Sequence, residues 1–432
     1  MMGSHLHARK IASEHAAKEL DLMIGALKKS HARPFLHISE QELTGRASAL
    51  KRQWLQQDSL DKRLYTLDLM KFTALFGDAH LQIYWEDASL HGNPDTLQLF
   101  PFVVKNEGEQ LFATEGETTF TKQLTAINGH NASQLYQEAL QTQAGTGAFV
   151  RYFVQRYFFP VFLHLKGIHP PFQLTFADGE VRQSTGLCSF RQVAGRFAPN
   201  VDPYTFEILQ GNIGYLQYNL CEDYQAFNAF LKSTFARIDQ QGVNKLVIDI
   251  RNNMGGNSAL NDLLIPYFSQ KKYRQSSGRH WKVSQAMKDR IDQPLYRQAF
   301  GKKFIKQYKK AANGSFIEED EYSLVEPKKV KYFFEGELFV LIGPQTFSSA
   351  NFLADAIKTY ELATLVGQPT GEPTNDFGEI IPFQLPHSGL GFNCSVAYDT
   401  GADGDPDKIS VVHPDVLVEE DALEYVLKRW RQ

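Results

Sequence analysis

Residues 337–358 read ELFVLIGPQTFSSANFLADAIK, and this stretch decides the fold of the second half of the chain. Its first seven residues form an apolar run typical of a buried strand, and the part from Ala350 onward has apolar positions at helical spacing. The turn between them is TFSS, residues 346–349. A serine is thus predicted at a strand-to-helix turn, where backbone N–H groups lack partners and the helix dipole is positive.

This serine turn has two interpretations. It favours a nucleophile, because the same N–H groups can stabilise the oxyanion that acyl transfer generates. Alternatively, Ser348 or Ser349 only caps the helix, since serine is a preferred N-cap residue. The other motifs of the chain favour the nucleophile.

Length, charge and cysteine content limit the classes of function that this chain can have. A length of 432 residues with 43% hydrophobic content allows two or three folding units. The net charge of -4 provides no basic field for nucleic acid. No apolar run approaches the roughly 20 residues that span a bilayer. Three cysteines, at positions 188, 221 and 394, contain no C-x-x-C pair, so neither a zinc site nor a disulfide framework is indicated, although one disulfide stays possible.

The first half of the chain predicts two regions. Residues 1–9 look like an expression tag without a signal core, so a native export signal could have been removed. Residues 10–96 predict a helical domain that ends in the run GDAH, residues 77–80. Residues 97–180 predict a β-rich module with a hairpin turn at Asn128-Gly129. Its order of strand, turn, short helix and strand resembles a PDZ-like peptide-binding module, and a β-rich insert without function is the alternative.

Residues 181–432 alternate strands with helices, which predicts βαβ units and a largely parallel sheet. The turns at 252–256 and 346–349 each follow a strand, so both should open at the sheet edge where α/β proteins place their sites. The charged residues 270–331 predict an insertion, either a lid over that edge or a surface appendage.

Two further elements complete a candidate catalytic site. Gly255 and Gly256 allow the backbone to approach a ligand closely. The N–H of either, with that of Ser349, is predicted to bind an oxyanion, an interaction of roughly 3–4 kcal/mol in acyl transfer. A serine hydroxyl also needs a base, and His80 is the best candidate. Taken singly, a histidine at a helix end and a Gly-Gly turn are more often structural.

Together, the D-x-R-x-N-x-G-G run at 249–256, the TFSSA run at 346–350 and the GQPTG run at 367–371 form a specific pattern. It resembles the tail-specific (C-terminal processing) and tricorn-core serine peptidases, with their interphotoreceptor retinoid-binding relatives, over nearly the whole chain. The resemblance implies a ClpP/crotonase-like α/β catalytic core behind the helical domain and the PDZ-like module. It implies Ser348 as nucleophile, and neither a metal nor an organic cofactor.

The chain departs from this family at two places. The processing peptidases pair their serine with a lysine about 25 residues later, but Pro373 stands there and no lysine occurs between Lys358 and Lys408. The tricorn-like branch uses a histidine before the PDZ module, which His80 matches, but has a serine where this chain has Ala79. An acid that orients His80 must therefore come from elsewhere. The candidates are Asp78, Glu379, Asp405 and Asp407, with Asp78 as readily a turn residue that binds its own backbone.

The leading interpretation is a serine endopeptidase that acts on unfolded or C-terminal protein segments, with Ser348 attacking and His80 as base. The alternative is a catalytically inactive binding protein for an apolar ligand or peptide, whose pocket the phenylalanines between 149 and 162 could line. A scaffold that acts only through its PDZ-like part is a third possibility. The expected partner is a protein or peptide substrate, in the periplasm or outside the cell, with a cytoplasmic location left open.

Overall fold

The computed structural model describes residues 10–85, 97–115, 118–119, 122–184, 188–197, 201–320 and 322–431. The predicted tag at 1–9 and the proposed boundary at 96 lie outside these residues. The described part is a mixed α/β protein with helical, β-rich and α/β regions, which confirms the predicted fold class.

The first region is helical, as its periodicity predicts. Its elements are β1 (Lys10–Ala12), α1 (Ser13–Ser30), α2 (Glu40–Trp54), β2 (Ser59–Asp61) and α3 (Lys62–Ala74). Leu20, Met23 and Leu27 of α1 are fully buried, because their spacing places them on one helix face. The helices form the apolar core that supports the His80 segment.

The second region combines short strands with helices. Its strands are β3 (Gln98–Leu99), β4 (Val103–Glu107), β5 (Gln110–Glu115), β6 (Thr118–Thr119), β7 (Leu124–Ile127), β8 (His130–Asn131), β9 (Phe172–Phe176), β10 (Val181–Ser184) and β11 (Cys188–Ser189). Its helices are α4 (Ala132–Leu140), α5 (Gly147–Phe153), a π-helical turn (Val154–Phe158), α6 (Phe159–Leu165) and α7 (Phe190–Phe197). The predicted hairpin turn is confirmed: Asn128 and Gly129 have φ of 49° and 79°, as a two-residue type I′ turn requires.

The third region contains the remaining elements. Its strands are β12 (Tyr204–Leu209), β13 (Ile213–Tyr218), β14 (Lys245–Asp249), β15 (Gly278–Lys282), β16 (Phe316–Glu319), β17 (Glu337–Ile342), β18 (Thr364–Gly367), β19 (Asp376–Gln384), β20 (Gly391–Thr400) and β21 (Val416–Leu417). Its α-helices are α8 (Tyr224–Gln240), α9 (Asn261–Leu264), α10 (Gln285–Lys288), α11 (Pro294–Ala299), α12 (Lys302–Lys310), α13 (Ser349–Tyr360) and α14 (Ala422–Arg431). Helix α9 is short and has a 3₁₀ turn on each side, Ser258–Leu260 before it and Ile265–Tyr267 after it.

A six-stranded sheet forms the centre of this region. Its order is β12-β13-β14-β17-β18-β21, in which β12 is antiparallel to β13 and the other pairs are parallel. Strands β14 and β17 are buried on both faces, as their continuous apolar sequences predict. They lie side by side with Asp249 opposite Leu341, so the turns that follow them open at the same edge of the sheet, as predicted.

A second, antiparallel sheet has the order β16-β15-β20-β19. Its strands β15 and β16 come from the predicted insertion, which is therefore hydrogen-bonded to the core. The segment after Gly77 pairs with this sheet through an isolated bridge between Ile83 and Phe392 of β20. The N–H of Asn393 also donates to the carbonyl oxygen of Gln82 at 3.0 Å, which joins the His80 segment to this sheet.

No helix among the described residues has both the length and the apolar character that a membrane span needs.

Candidate active site

Ser348 occupies the N-cap position of α13, but its side chain does not cap the helix. The residue has φ 50° and ψ −124°, a backbone conformation that is strained for any residue other than glycine. The flanking backbone holds it there: the N–H of Phe347 donates to the carbonyl oxygen of Asn253 at 3.0 Å. The hydroxyl is thus presented at a fixed, strained turn and is not used as a cap.

The glycine turn lies directly against this serine. A Cβ added to Gly255 would stand 2.7 Å from the Cβ of Ser348 and 2.9 Å from the backbone nitrogen of Ser349. One added to Gly256 would stand 2.4 Å from the carbonyl oxygen of Cys221. Both glycines also have positive φ, of 97° and 130°. The predicted close approach of backbone at this turn therefore exists, and only glycine allows it.

The predicted oxyanion donors differ in what they already bind. The N–H of Gly255 donates to Oδ1 of Asn253 at 2.9 Å, so it is engaged within its own turn. The hydroxyl of Ser349 donates to the carbonyl oxygen of Gly256 at 2.7 Å, which ties the start of α13 to the glycine turn. The backbone N–H groups of Gly256 and Ser349 therefore lie on two segments that are fixed to each other.

His80 lies on the turn after α3. Its backbone N–H donates to Oδ1 of Asp78 at 2.8 Å, so Asp78 binds its own turn, as the sequence indicated. The other oxygen of Asp78 is 3.0 Å from Nε2 of His31, in a fully buried pair. Burial alone would raise the pKa of Asp78, but the hydrogen bond and charge of His31 outweigh it and lower that pKa. The ring of His80 lies 5.2 Å from that of Phe347, the neighbour of Ser348.

The acid that the sequence analysis did not identify is Glu372. Its Oε1 lies 3.4 Å from Nδ1 of His80, and its Oε2 accepts the backbone N–H of Ser348. Asp376, at the start of β19, offers a further carboxylate: one ligand atom each from His80, Glu372 and Asp376 lie within 4.8 Å of one another. Together the three side chains offer one imidazole nitrogen and two carboxylate oxygens, which are atoms that can bind a metal ion.

The other acids considered from sequence have different partners. Glu379 pairs with Arg279 at 2.9 Å, and Oδ1 of Asp405 accepts the backbone N–H of Asp407 at 3.0 Å. The signal for Glu372 was its position next to Pro373, where the resemblance places a lysine. An acid, Glu372, therefore lies one position before the place where the resemblance has a lysine.

The carboxyl groups of Glu372 and Asp376 each change the pKa of the other. Burial raises the pKa of Glu372 well above its usual value, and the charge of nearby Asp376 raises it further. Burial raises the pKa of Asp376 from 3.8 to about 6, although the charge of His80 opposes this rise. Like charges this close resist joint ionisation, so the pair keeps one proton after Asp376 has ionised.

The phenylalanines that an apolar ligand could have contacted belong to the core. All are buried, as a hydrophobic cluster usually is: Phe149, Phe153, Phe158, Phe159 and Phe162. The cavity beside Phe149 and Phe153 has a volume of about 30 Å³, which suits one water molecule and no lipid. The three cysteines are buried and free.

Comparisons with known proteins agree with this architecture. Residues 212–418 match the model of Peptidase family S41. A mutant of CPAF is similar in structure with a TM-score of 0.64 and 13% identity, covering 97% of this chain and 96% of that chain. Mature CPAF complexed with lactacystin is similar with a TM-score of 0.61 and 13% identity, covering 96% and 97%. At this identity the likeness shows a shared fold. No curated protein matches the sequence.

Proposed function

We propose that this chain, whose residues 212–418 belong to peptidase family S41, is a serine endopeptidase that cleaves unfolded or C-terminal protein segments. In this proposal Ser348 is the nucleophile, His80 is the general base, and Glu372 positions His80. The observation that carries the proposal is the placement of Glu372, whose two oxygens contact the N–H of Ser348 and the ring of His80.

The proposed reaction follows the logic of a serine–histidine–acid site. Ser348 Oγ attacks the scissile carbonyl carbon as His80 accepts the hydroxyl proton, and His80 later returns that proton to the leaving amine. Because Nδ1 of His80 faces Glu372, Nε2 is the nitrogen assigned to proton exchange with Ser348. The charge shared by Glu372 and Asp376 stabilises the imidazolium that forms during attack.

The oxyanion is assigned to the N–H groups of Ser349 and Gly256. Both groups lie beside Ser348, and the bond from the Ser349 hydroxyl to the Gly256 carbonyl fixes their separation before substrate binds. Such preorganised donors are worth roughly 3–4 kcal/mol in the transition state. Gly255 contributes space for the serine in this assignment, because its own N–H is engaged by Asn253.

Strand addition at the PDZ-like region is the proposed mode of substrate capture. The sheet of this region has the order β10-β9-β7-β8, so β10 is an edge strand. Its residues are exposed or half-exposed, which leaves the backbone accessible to an extended peptide.

The resemblance to exported peptidases also supports a periplasmic or extracellular location, which cell fractionation tests.

Hydrolysis of an unfolded protein such as reduced casein tests this proposal. We expect Ser348→Ala to abolish hydrolysis and labelling by a fluorophosphonate probe, with little change in melting temperature. The matched control is Ser39→Ala, because Ser39 is also an N-cap serine but does cap its helix, accepting from the N–H of Glu42 at 3.1 Å. This control should lose about 1 kcal/mol of stability and keep its activity. Hydrolysis by Ser348→Ala would overturn the proposal.

A further inference from the structure

We propose that His80, Glu372 and Asp376 bind a transition-metal dication of the Zn²⁺ type, and that the bound ion inhibits the peptidase. The binding site stands on the geometry of these three side chains alone. Its inhibitory effect rests on the function proposed above. The sequence analysis expected no metal, because neither the cysteine spacing nor the resemblance indicated one.

The three side chains offer a converging donor set. An imidazole nitrogen and two carboxylate oxygens are donor types that Zn²⁺ takes in proteins. One such atom from each residue lies within 4.8 Å of the other two. Tetrahedral Zn²⁺ with bonds of about 2.0–2.1 Å places its ligand atoms about 3.4 Å apart. The His80 Nδ1 and Glu372 Oε1 atoms are already separated by 3.4 Å, and the carboxylate of Asp376, whose ligand atom lies within 4.8 Å of those of the other two residues, completes three ligands by moving inward.

Each of the three side chains has one buried polar atom that makes no hydrogen bond of normal geometry among the described residues. They are Nδ1 of His80, Oε1 of Glu372 and Oδ2 of Asp376. An unsatisfied buried polar atom destabilises the folded chain, so three such atoms in one cluster favour the binding of a ligand there. Coordination to one cation would satisfy all three atoms, and it would release to solvent the proton that the two carboxyls keep between them.

Rigid elements hold the two carboxylates. Asp376 begins β19 and is paired in register with Asp399 of β20. The loop that carries Glu372 is fixed by the bond from the Asn351 side chain to the carbonyl oxygen of Pro373, at 2.8 Å. The second oxygen of Glu372 is oriented by the N–H of Ser348. Ligands supported in this way lose little freedom on binding an ion.

Inhibition follows from the protonation of imidazole. A neutral imidazole has one N–H, so a metal ion on Nδ1 places that hydrogen on Nε2. Nε2 is the nitrogen assigned to accept the proton of Ser348, and in this form it has no lone pair for that proton. The ion also takes Oε1 of Glu372 away from His80. A chelator that removes the ion restores both contacts, so inhibition should be reversible.

Zn²⁺ binding to the full chain tests the site without reference to activity. We expect Ser348→Ala to bind one Zn²⁺ per chain at micromolar free ion, measured by competition with a chromophoric chelator. Asp376→Asn should weaken binding by at least about tenfold, because it replaces a carboxylate ligand. The matched control is Asp320→Asn: Asp320 also contacts a histidine, His280 at 2.8 Å, but in an exposed pair. This control should bind Zn²⁺ unchanged.

His80→Ala and Co²⁺ keep the test decisive if Asp376→Asn does not fold. His80→Ala should lose the Zn²⁺ site, and Co²⁺ in the wild-type chain should give the intense visible absorption of a four-coordinate ion. Wild-type affinity in His80→Ala, or only the weak absorption of six-coordinate Co²⁺, would overturn the site. If Ser348→Ala binds Zn²⁺ while the wild-type chain cleaves nothing, the peptidase proposal fails and the site stands. If the wild-type chain cleaves protein and saturating Zn²⁺ leaves that activity intact, the inhibitory role fails.

Discussion

The backbone N–H of Ser348 donates to the carboxylate of Glu372, a residue 24 positions later in the chain. This bond joins the start of α13 to the loop between β18 and β19, and it brings that loop to His80. Glu372 thus stands where the turn of the proposed nucleophile meets the turn of the proposed base.

Glu372→Gln should lower kcat/KM by about 10²–10⁴-fold, with a smaller change in KM. Glutamine keeps an acceptor for the N–H of Ser348, but it removes the carboxyl oxygen that lies 3.4 Å from Nδ1 of His80, and the charge of the pair then stays on Asp376. The free energy of unfolding should not fall, because the change removes the repulsion with Asp376. Steady-state kinetics on a fluorogenic peptide, with thermal unfolding in parallel, measure both. A kcat/KM within about twofold of wild type would show that Glu372 does not position the base.

Asp376 should make the stability of the protein depend on acid pH. Its pKa is about 6 in the folded chain, against 3.8 without burial, so the folded state holds this proton more tightly. The resulting stabilisation is full below about pH 4 and is lost as the pH rises to about 6, at no more than about 1.4 kcal/mol per pH unit. Chemical denaturation across this range, with a chelator present, should show a negative slope that is reduced in Asp376→Asn. Equal slopes in the two proteins would contradict the prediction.

Gly255→Ala should abolish hydrolysis, because the new Cβ would lie 2.7 Å from that of Ser348 and force the nucleophile to move. The matched control is Gly242→Ala, since Gly242 also has positive φ, of 60°, but has no atom within 4 Å of an added Cβ. Both variants should lose about 1 kcal/mol or more from backbone strain, and only the first should lose activity. Casein hydrolysis and melting temperatures separate the two effects. Full activity in Gly255→Ala would show that the turn does not pack on Ser348.

Much of the fold was predictable because local patterns and tertiary packing agree. The apolar runs at 245–249 and 337–342 became neighbouring parallel strands, and the glycine and serine turns after them meet as expected. Strand β14 ends at Asp249, whose carboxylate accepts the backbone N–H and the side chain of Arg251 in a turn. The N–H of Arg251 thus binds a side chain and, within the described residues, makes no backbone hydrogen bond to a neighbouring strand.

The acidic part of the site could not be predicted in the same way. Glu372 and Asp376 reach His80 only because the loop after β18 folds across the start of α13, and no periodicity encodes that path. The only signal in the sequence is that the resemblance places a lysine at the position of Pro373, which is next to Glu372. It did not indicate that an acid would serve a histidine there. Asp78, in contrast, acts locally: its Oδ1 accepts the N–H of His80, as predicted for a turn residue, and the same oxygen lies 3.8 Å from Nδ1 of the His80 ring.

The insertion cannot be removed as a separate appendage, and the reason is electrostatic. Arg279 of β15 donates to the buried carboxylate of Asp399 at 2.7 Å, and Asp399 lies opposite Asp376 in the adjoining strand. A chain shortened between 270 and 331 would leave a buried anion without its cation, on the strand next to the one that carries the candidate metal ligand Asp376. Any smaller relative that lacks this segment must therefore place a positive charge there by another route, or have a neutral residue at the position of Asp399.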